Sequence, residues 1–432
     1  MKKILFLIFS FFIIKVEVMA VELKSLEIGG VRIPVIYEKS DSLPLFYLQL
    51  VFKGAGGVSD GKNLGLANLS SSLLNEGTKK LGVTKFSQQL EEKALALDVG
   101  NGVETLSFTL SGMSEHKNSG ILALKDLLEN PNFTQKALDK VKENALISLL
   151  EKESDYDYQA EIALNKMLFK GSALEYPLKG TAESISKISL KEVESFYKKY
   201  INLESLIIVA GGDVEFESLA ESLGFLQNLP QGQKPEIKPI KASGEQGFSR
   251  ILKDTQQAYI YFGAPLEVKD LQKESAFVKV ASFVLGGSGF GSRILEEVRV
   301  KRGLAYSASM YLDSRASKQY AFGYLQTSLK NEKEAVKIVK EVVSEFVKNG
   351  ITKEELEEAK KYLLGSAPLK SETLSQRLGV AFMNYYNGLP LDFQKQVLDE
   401  ISTLELESVN NYIKKHAEIT ELTFAIVSSD KE

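Results

Sequence analysis

The residues whose spacing first suggests chemistry lie on one short predicted helix, residues 64–77. Asn68, Ser71 and Ser72 are separated by three and four positions, so their side chains share one face of the helix. Amide and hydroxyl groups make good hydrogen bonds, but zinc requires imidazole, carboxylate or thiolate ligands. The buried stripe of the helix is predicted from leucines at helical spacing, Leu66, Leu69 and Leu73. The polar face is therefore expected to hold neither a metal nor a general base.

A second candidate site lies in residues 286–307, where a glycine-rich run precedes a predicted helix. The run lacks the G-K-[ST] ending and the glycine spacing of phosphate-binding loops, which argues against nucleotide binding. Arg299 is predicted in the last turn of the helix, which ends near Gly303, and Tyr306 at the start of the next strand. In one cleft, both side chains can hydrogen-bond the carbonyls of a peptide. The alternative is a solvated cation at a helix end beside an ordinary sheet tyrosine.

The amino-acid composition excludes several further kinds of chemistry and binding. The chain of 432 residues has no cysteine, which excludes disulfides, thiolate catalysis and cysteine-bound metal. Its two histidines, His116 and His416, are far apart in the sequence, and each is expected to be a surface or helix-end residue. The formal net charge is -4 and the lysines are scattered, so no nucleic-acid-binding surface is expected.

The first 20 residues have the layout of a secretory signal peptide. Lys2 and Lys3 precede an apolar run from Ile4 to Ile14, and small residues up to Ala20 offer a cleavage point. We expect cleavage after Ala20 and export across the inner membrane to the periplasm. The alternative is that the run is kept as a tilted anchor, although it is short for a membrane span. After cleavage, no stable membrane span is expected.

The two candidate sites must be positioned by two similar halves, because sequence blocks recur at a spacing of about 210 residues. Asn132–Thr134 and Gly350–Thr352 each open a predicted helix, and the second of these helices begins with a T-x-x-E capping box. Residues 188–200 and 401–415 are each predicted as a helix that leads into an apolar strand.

The predicted domain map has a signal peptide (1–20), an N-terminal half (21–225), a linker (226–250) and a C-terminal half (251–432). The linker contains three prolines and shows neither helical nor strand periodicity, so we expect it to run over the surface as a hinge. In each half the strands and the helices are grouped. This grouping predicts an α+β fold with sheets rich in antiparallel strands rather than a doubly wound parallel sheet.

Both candidate sites resemble those of the pitrilysin/insulinase-like family of peptidases, whose zinc helix carries the inverted motif H-x-x-E-H. The frame of that motif falls on Asn68, Ser71 and Ser72. The block 286–307 is similar to the non-zinc half of the family, in which an arginine and a tyrosine seven positions later hold the substrate. Arg299 and Tyr306 match that pair. The resemblance covers essentially the whole mature chain and implies two halves of the metallopeptidase LuxS/MPP-like type, arranged as a clamshell.

The resemblance also implies that the metal chemistry has been lost. Two histidine ligands and a glutamate base are replaced by Asn68, Ser71 and Ser72, and the third ligand of the family is a glutamate on a later helix. In this chain Glu143 and Glu151 flank that third position, which apolar or hydroxyl residues fill. The chain is therefore expected to bind no zinc and to be inactive as a peptidase by itself.

Three functions remain open at this point. The chain is a non-catalytic subunit of a heterodimeric zinc metallopeptidase, or a peptide-binding or scaffolding protein without a peptidase partner, or a zinc-dependent endopeptidase with atypical ligands. In the first function, a zinc-bearing homologous subunit supplies the metal. This chain then contributes Arg299, Tyr306 and half of a chamber that encloses a peptide in extended conformation. A retained arginine-tyrosine pair beside a lost zinc helix favours this first function.

Overall fold

A computed structural model of the chain describes residues 21–429. The predicted signal peptide, residues 1–20, lies outside the described residues. The described chain forms two mixed sheets, each packed on one face against helices of its own half.

The first sheet has six strands in the order β1-β2-β6-β3-β5-β4. The strands are β1 (Glu22–Ile28), β2 (Val31–Lys39), β3 (Leu45–Lys53), β4 (Ala96–Asn101), β5 (Thr105–Met113) and β6 (Leu206–Gly212). Only β2 and β6 run parallel; the other neighbours are antiparallel. Along β3 every second side chain, including Leu48 and Leu50, is fully buried in the core of this half.

The helices of the first half are α1 (Leu66–Leu74), α2 (Gly82–Glu91), α3 (Lys117–Glu129), α4 (Gln135–Glu151), α5 (Tyr156–Leu168), α6 (Ala182–Lys187), α7 (Leu190–Tyr200) and α8 (Phe216–Ser222). The helix predicted at 64–77 is thus α1, which is shorter at both ends. It begins after Gly65, which has a φ of 87°. The helix predicted at 188–200 is α7, which begins with a capping box between Ser189 and Glu192.

The second sheet has the order β10-β11-β9-β12-β8, and β7 pairs with β11. Its strands are β7 (Ile240–Lys241), β8 (Phe248–Leu252), β9 (Gln257–Pro265), β10 (Ala305–Arg315), β11 (Lys318–Ser328) and β12 (Thr423–Ser428). Its helices are α9 (Leu271–Ser282), α10 (Arg293–Leu295), α11 (Glu332–Asn349), α12 (Lys353–Ser366), α13 (Leu374–Tyr386), α14 (Phe393–Thr403) and α15 (Leu406–Lys415). π-Helical turns extend α9 over Phe283–Gly287 and α10 over Glu296–Val300.

The predicted fold class is confirmed, since each half is an antiparallel-rich sheet with helices. The T-x-x-E capping box is also present, between Thr352 and Glu355 at the start of α12. The single helix predicted at 401–415 is wrong, because the chain leaves α14 at Leu404, whose backbone is extended, and starts again as α15.

The two halves exchange one helix each. From the C-terminal half, α13 packs Leu378 and Ala381 against the outer face of the first sheet, at Ile36 and Val209. From the N-terminal half, α5 packs against β9 and β12 of the second sheet. The α13 contact is strengthened by Arg377, which forms three hydrogen bonds of 2.7, 2.9 and 3.1 Å to the fully buried carboxylate of Glu38.

Residues 226–250 show no strand periodicity in the sequence, but the structure places strand residues there. β7 lies inside this range, and β8 begins at Phe248 and pairs in parallel with β12. Because that partner strand lies about 175 residues later, local sequence periodicity could not reveal the pairing. These strands attach the range to the second sheet, whereas the exchanged helices α5 and α13 tie the two halves together by contacts other than the covalent linker.

No helix within residues 21–429 is both long enough and apolar enough to cross a membrane.

Candidate functional site

The polar face of α1 is closed by a hydrogen-bond network to the edge strand β4. Asn101, the last residue of β4, accepts hydrogen bonds through Oδ1 from Asn68 Nδ2 at 3.1 Å and from Ser71 Oγ at 2.9 Å. Ser71 also bonds to the carbonyl of Asn68, and it is only 4% exposed. Asn101 was not predicted, because it meets α1 only through the folding of β4, 30 residues later. Two of the three motif positions are thus used in neutral hydrogen bonds.

The residue that follows α1 fastens the helix to the same strand. Asn75 accepts a hydrogen bond from the N–H of Val99 at 2.9 Å and donates one to the carbonyl of Val99 at 2.7 Å. Both main-chain groups of Val99 therefore point away from β5 and are occupied by one side-chain amide. This contact covers the outer edge of β4 at that residue, where an added strand would have to pair.

The start of α1 is held by a buried carboxylate. Asp60 accepts hydrogen bonds from the N–H groups of Gly65 and Ala67, each at 2.8 Å. It is 7% exposed, and burial raises the pKa of its carboxyl to about 6, although the two hydrogen bonds act in the opposite direction. Both ends of α1 are thus fixed by side chains from outside the helix.

The position of the third zinc ligand also lacks a carboxylate. Glu143 and Glu151 on α4 are exposed, and between them Ser148 Oγ accepts a hydrogen bond from Lys179 Nζ at 3.2 Å. His116 lies beside Glu115, and the buried His416 bonds to Glu418 at 2.7 Å. Across residues 21–429, no group of three or more histidine, cysteine, aspartate or glutamate side chains is placed to hold a metal ion. The residues at this site therefore do not fit zinc.

The second candidate site is an exposed stack of three side chains. The guanidinium of Arg299 lies 4.5 Å from the ring centre of Tyr306 and 4.9 Å from that of Phe290. Tyr306 is 81% exposed and Phe290 is 75% exposed. Among the described residues, Arg299 has no hydrogen-bond or ion-pair partner for its side chain. A guanidinium held between two rings keeps its N–H donors free for a ligand.

Local backbone features present this stack. As predicted, Arg299 lies in the last helical turn, which closes with hydrogen bonds from Gly303 N–H to Arg299 O and from Leu304 N–H to Val298 O. Tyr306 lies in a β-bulge at the start of β10, which turns the tyrosine to solvent. Phe290 was not predicted; the only signal for it is an aromatic residue between two glycines, both of positive φ.

The structure therefore brings the predicted residues together as two separate groups. Asn68 and Ser71 bond within the N-terminal half, and Arg299 and Tyr306 contact each other within the C-terminal half. In the described part of the chain, no hydrogen bond, ion pair or ring contact links the first group to the second.

Fold and site together define a two-half peptidase-type α+β protein whose zinc position lacks ligands. Residues 35–182 match the model of the insulinase family, peptidase family M16, and residues 187–363 match the model described as the peptidase M16 inactive domain. The chain belongs to the insulinase (M16) family.

Three relatives illustrate the likeness. The chain is 45% identical to the non-peptidase homolog YmxG of Helicobacter pylori, over 94% of either protein. It resembles the crystal structure of a peptidase M16 inactive domain from Pseudomonas fluorescens, with a TM-score of 0.84 and 22% identity over 94% of this chain and 98% of that one. It also resembles the periplasmic protease PqqL from Escherichia coli, with a TM-score of 0.78 and 14% identity over 96% of this chain and 46% of that chain.

Proposed function

We propose that this chain is a non-catalytic subunit that holds an extended peptide for a zinc-bearing homologous subunit. The observation that carries this proposal is the stack at Arg299, whose guanidinium is fixed between Phe290 and Tyr306 and has free donors. An exposed cation with two aromatic neighbours can bind a ligand, and each such contact at an exposed site contributes only about 0.5 to 1 kcal/mol to stability. A non-peptidase relative that is 45% identical supports a role without hydrolysis.

The absence of hydrolysis by the isolated chain follows from the chemistry of α1. Zinc-assisted hydrolysis needs three convergent ligands and a base that takes a proton from water. Asn68 and Ser71 offer an amide and a hydroxyl, and both already donate hydrogen bonds to Asn101. An independent zinc peptidase with other ligands would need a cluster of donor side chains that residues 21–429 do not offer.

The proposed peptide contacts are hydrogen bonds from Arg299 and the Tyr306 hydroxyl to main-chain carbonyls. The two residues lie where the edge strand β10 begins, so a peptide in extended conformation can approach both. We place the complex in the periplasm, after removal of residues 1–20, and expect the zinc in the partner of the heterodimer. The periplasmic relative from Escherichia coli is consistent with this location.

A second candidate function is scaffolding without peptide binding, and the contact of Asn75 with Val99 favours it. The outer edge of β4 is occupied there by a side chain, so a peptide cannot add as a strand at that residue without displacing Asn75. If Arg299 and its aromatic neighbours contact a partner protein, the same stack serves assembly instead.

The experiment that separates these functions is purification from the native source under mild conditions, followed by identification of co-purifying proteins. We expect a homologue with an intact H-x-x-E-H motif, and peptidase activity only when both chains are present. Elemental analysis of the isolated chain should find no stoichiometric zinc. A complex that lacks any such homologue would favour scaffolding, and about one tightly held zinc per isolated chain would contradict the proposal.

A further inference from the structure

Both sheets have the same strand order near one edge, β4-β5-β3-β6 in the first and β10-β11-β9-β12 in the second. Residues at matching places in the two sheets can therefore be paired. Val99 on β4 is aligned through β5 with Leu50, the sixth residue of β3. Met310 on β10 is aligned through β11 with Phe262, the sixth residue of β9. Val99 and Met310 therefore occupy the same place in the two sheets.

The helices beside these edge strands match as well. Asn75, directly after α1, bonds to the backbone of Val99, and Gly286, in the π-helical turn that extends α9, lies against the backbone of Met310. A Cβ added to Gly286 would lie 2.3 Å from the backbone nitrogen of Met310. Asn75 and Gly286 are therefore counterparts.

Four residues before Asn75 and Gly286 lie Ser71 and Ser282, which form a second pair of counterparts. Seven residues before the same two positions lie Asn68 and Lys279, which form a third pair. Each serine bonds to the residue two positions past the matched strand residue, Ser71 to Asn101 at 2.9 Å and Ser282 to the N–H of Leu312 at 3.1 Å. Lys279 thus stands in the C-terminal half where Asn68 stands in the zinc-motif frame of the N-terminal half.

Lys279 lines a cavity of about 530 Å³ between α9, the outer edge of β10 and the helices α12 to α14. The charged lining consists of three cations and one carboxylate, Lys279, Arg315, Lys370 and Asp313. The carboxylate is already paired, because Arg315 donates to both oxygens of Asp313. The cavity therefore carries an excess of positive charge without a matching anion from its own lining.

The ammonium group of Lys279 is only partly satisfied. It donates one hydrogen bond, of 2.7 Å, to the side-chain carbonyl of Gln394, although it can donate three. Within the described residues it has no carboxylate partner. Burial, and then the charge of Lys370, lower the pKa of Lys279 to about 8. An anion between Lys279 and Lys370 would offset both the cost of burying the ammonium group and the repulsion between the two lysines.

We propose that this cavity binds a carboxylate group, held by Lys279 and Lys370. The carboxylate belongs either to the C-terminus of a peptide or to a small organic acid. This site is distinct from the stack at Arg299, and the inference goes beyond the proposed function because it requires no partner subunit and no peptidase activity.

Calorimetric titration of the purified full mature chain tests the inference with three probes: N-acetylated pentaalanine with a free C-terminus, the same peptide as its C-terminal amide, and succinate. We expect the free acid to bind at least tenfold more tightly than the amide if peptide ends are the ligand. Binding of succinate without the peptide acid would identify a small acid as the source of the carboxylate. Binding of neither acid, or equal binding of acid and amide, would overturn the inference.

Two substitutions localise the binding. Lys279→Met removes the half-buried charge and keeps the length of the side chain, so the variant should fold at least as stably and lose the tenfold preference. Lys370→Met, at an exposed residue, should weaken binding about threefold. Lys273→Met is the control, since Lys273 lies on the same helix with its side chain 82% exposed and pairs with Asp270. Arg299→Ala should leave the preference unchanged; if it abolishes the preference instead, the acid binds at the stack and the inference fails.

Discussion

In each half, one helix is attached to the edge strand of the sheet at the matching place. A side chain makes the contact in one half, and the backbone makes it in the other. In the N-terminal half, the side chain of Asn75 bridges the gap between α1 and Val99 with two hydrogen bonds. In the C-terminal half, Gly286 removes the gap, because the backbone after α9 lies directly against Met310. The fold therefore needs this junction in both halves, whereas the chemistry of the adjoining helix face is free to change. On that face one half has a closed amide-hydroxyl network and the other has an open cationic cavity.

The largest effect is expected at the junction of the C-terminal half. In Gly286→Ala, the new methyl would lie 2.3 Å from the nitrogen and 2.7 Å from the oxygen of Met310, and backbone atoms cannot move aside as a flexible side chain can. We expect the free energy of unfolding to fall by about 3 kcal/mol or more. Gly365→Ala, within α12 and with open space around the added methyl, is the matched control and should be neutral or slightly stabilising. Similar unfolding midpoints in denaturant for both variants would contradict the close contact.

The carboxylates at the starts of α1 and α9 should change the stability of the protein with pH in opposite directions. Burial raises the pKa of Asp60 to about 6, so the folded state binds its proton more tightly than the unfolded state. The stability that this proton contributes is present below about pH 4 and is lost as pH rises to about 6, by up to about 3 kcal/mol. Asp270 caps α9, and the hydrogen bond from Lys273 lowers its pKa. Its contribution is therefore present above the unfolded pKa and is lost as pH falls.

The measurement is the pH dependence of stability for Asp60→Asn and Asp270→Asn, each subtracted from that of the unsubstituted chain. The two difference curves should slope in opposite directions in the acidic range. Two curves of the same slope would mean that the environments of these carboxylates do not differ as the structure describes.

A smaller effect is expected at the junction of the N-terminal half. Asn75→Ala leaves the N–H and the carbonyl of Val99 without their partner, at the edge of the sheet where water can partly replace it. We expect a loss of about 1 to 2 kcal/mol in the free energy of unfolding. Asn144→Ala, at an exposed position within α4, is the control and should change stability by less than about 0.5 kcal/mol. If scaffolding is the function, partner association should survive in Asn75→Ala as long as the protein is folded.

Local sequence patterns predicted the structural features that depend only on residues close together in the sequence. The helix predicted at 188–200, the capping box at Thr352 and the helical turn that carries Arg299 are all set within a few positions. The partners that arise from distant pairing could not be predicted in this way. Asn101 reaches α1 only through the register of β4, and the cavity at Lys279 is closed by helices about 80 to 120 residues later. The exchange of α5 and α13 depends on how two finished halves fit together, which no periodicity encodes.

The sequence predicted five site residues, Asn68, Ser71, Ser72, Arg299 and Tyr306. The structure gives them surroundings that the sequence did not reveal. The first two are tied to Asn101, and the last two are joined by Phe290. The asymmetry between the closed first group and the exposed second group is what peptide-binding measurements can test.

The smallest change in the free energy of unfolding, and the effect most specific to function, is expected at the stack. Arg299→Ala removes donors that have no other partner in the described chain, so folding should be almost unaffected, whereas a charge-assisted hydrogen bond to a peptide carbonyl would be lost. We expect the partner-dependent kcat/KM to fall about tenfold or more, which corresponds to about 1.4 kcal/mol.

Tyr306→Phe should have a similar effect if its hydroxyl contacts the peptide, because the ring remains stacked on Arg299. Phe290→Ala should have a weaker effect, of about threefold, since it only positions the guanidinium, and Phe290→Tyr should restore normal kinetics. A structural role predicts the reverse for Arg299→Ala, a lowered melting temperature with normal kinetics in the folded fraction. Unchanged kinetics in well-folded variants would remove the stack from peptide handling and leave scaffolding as the better proposal.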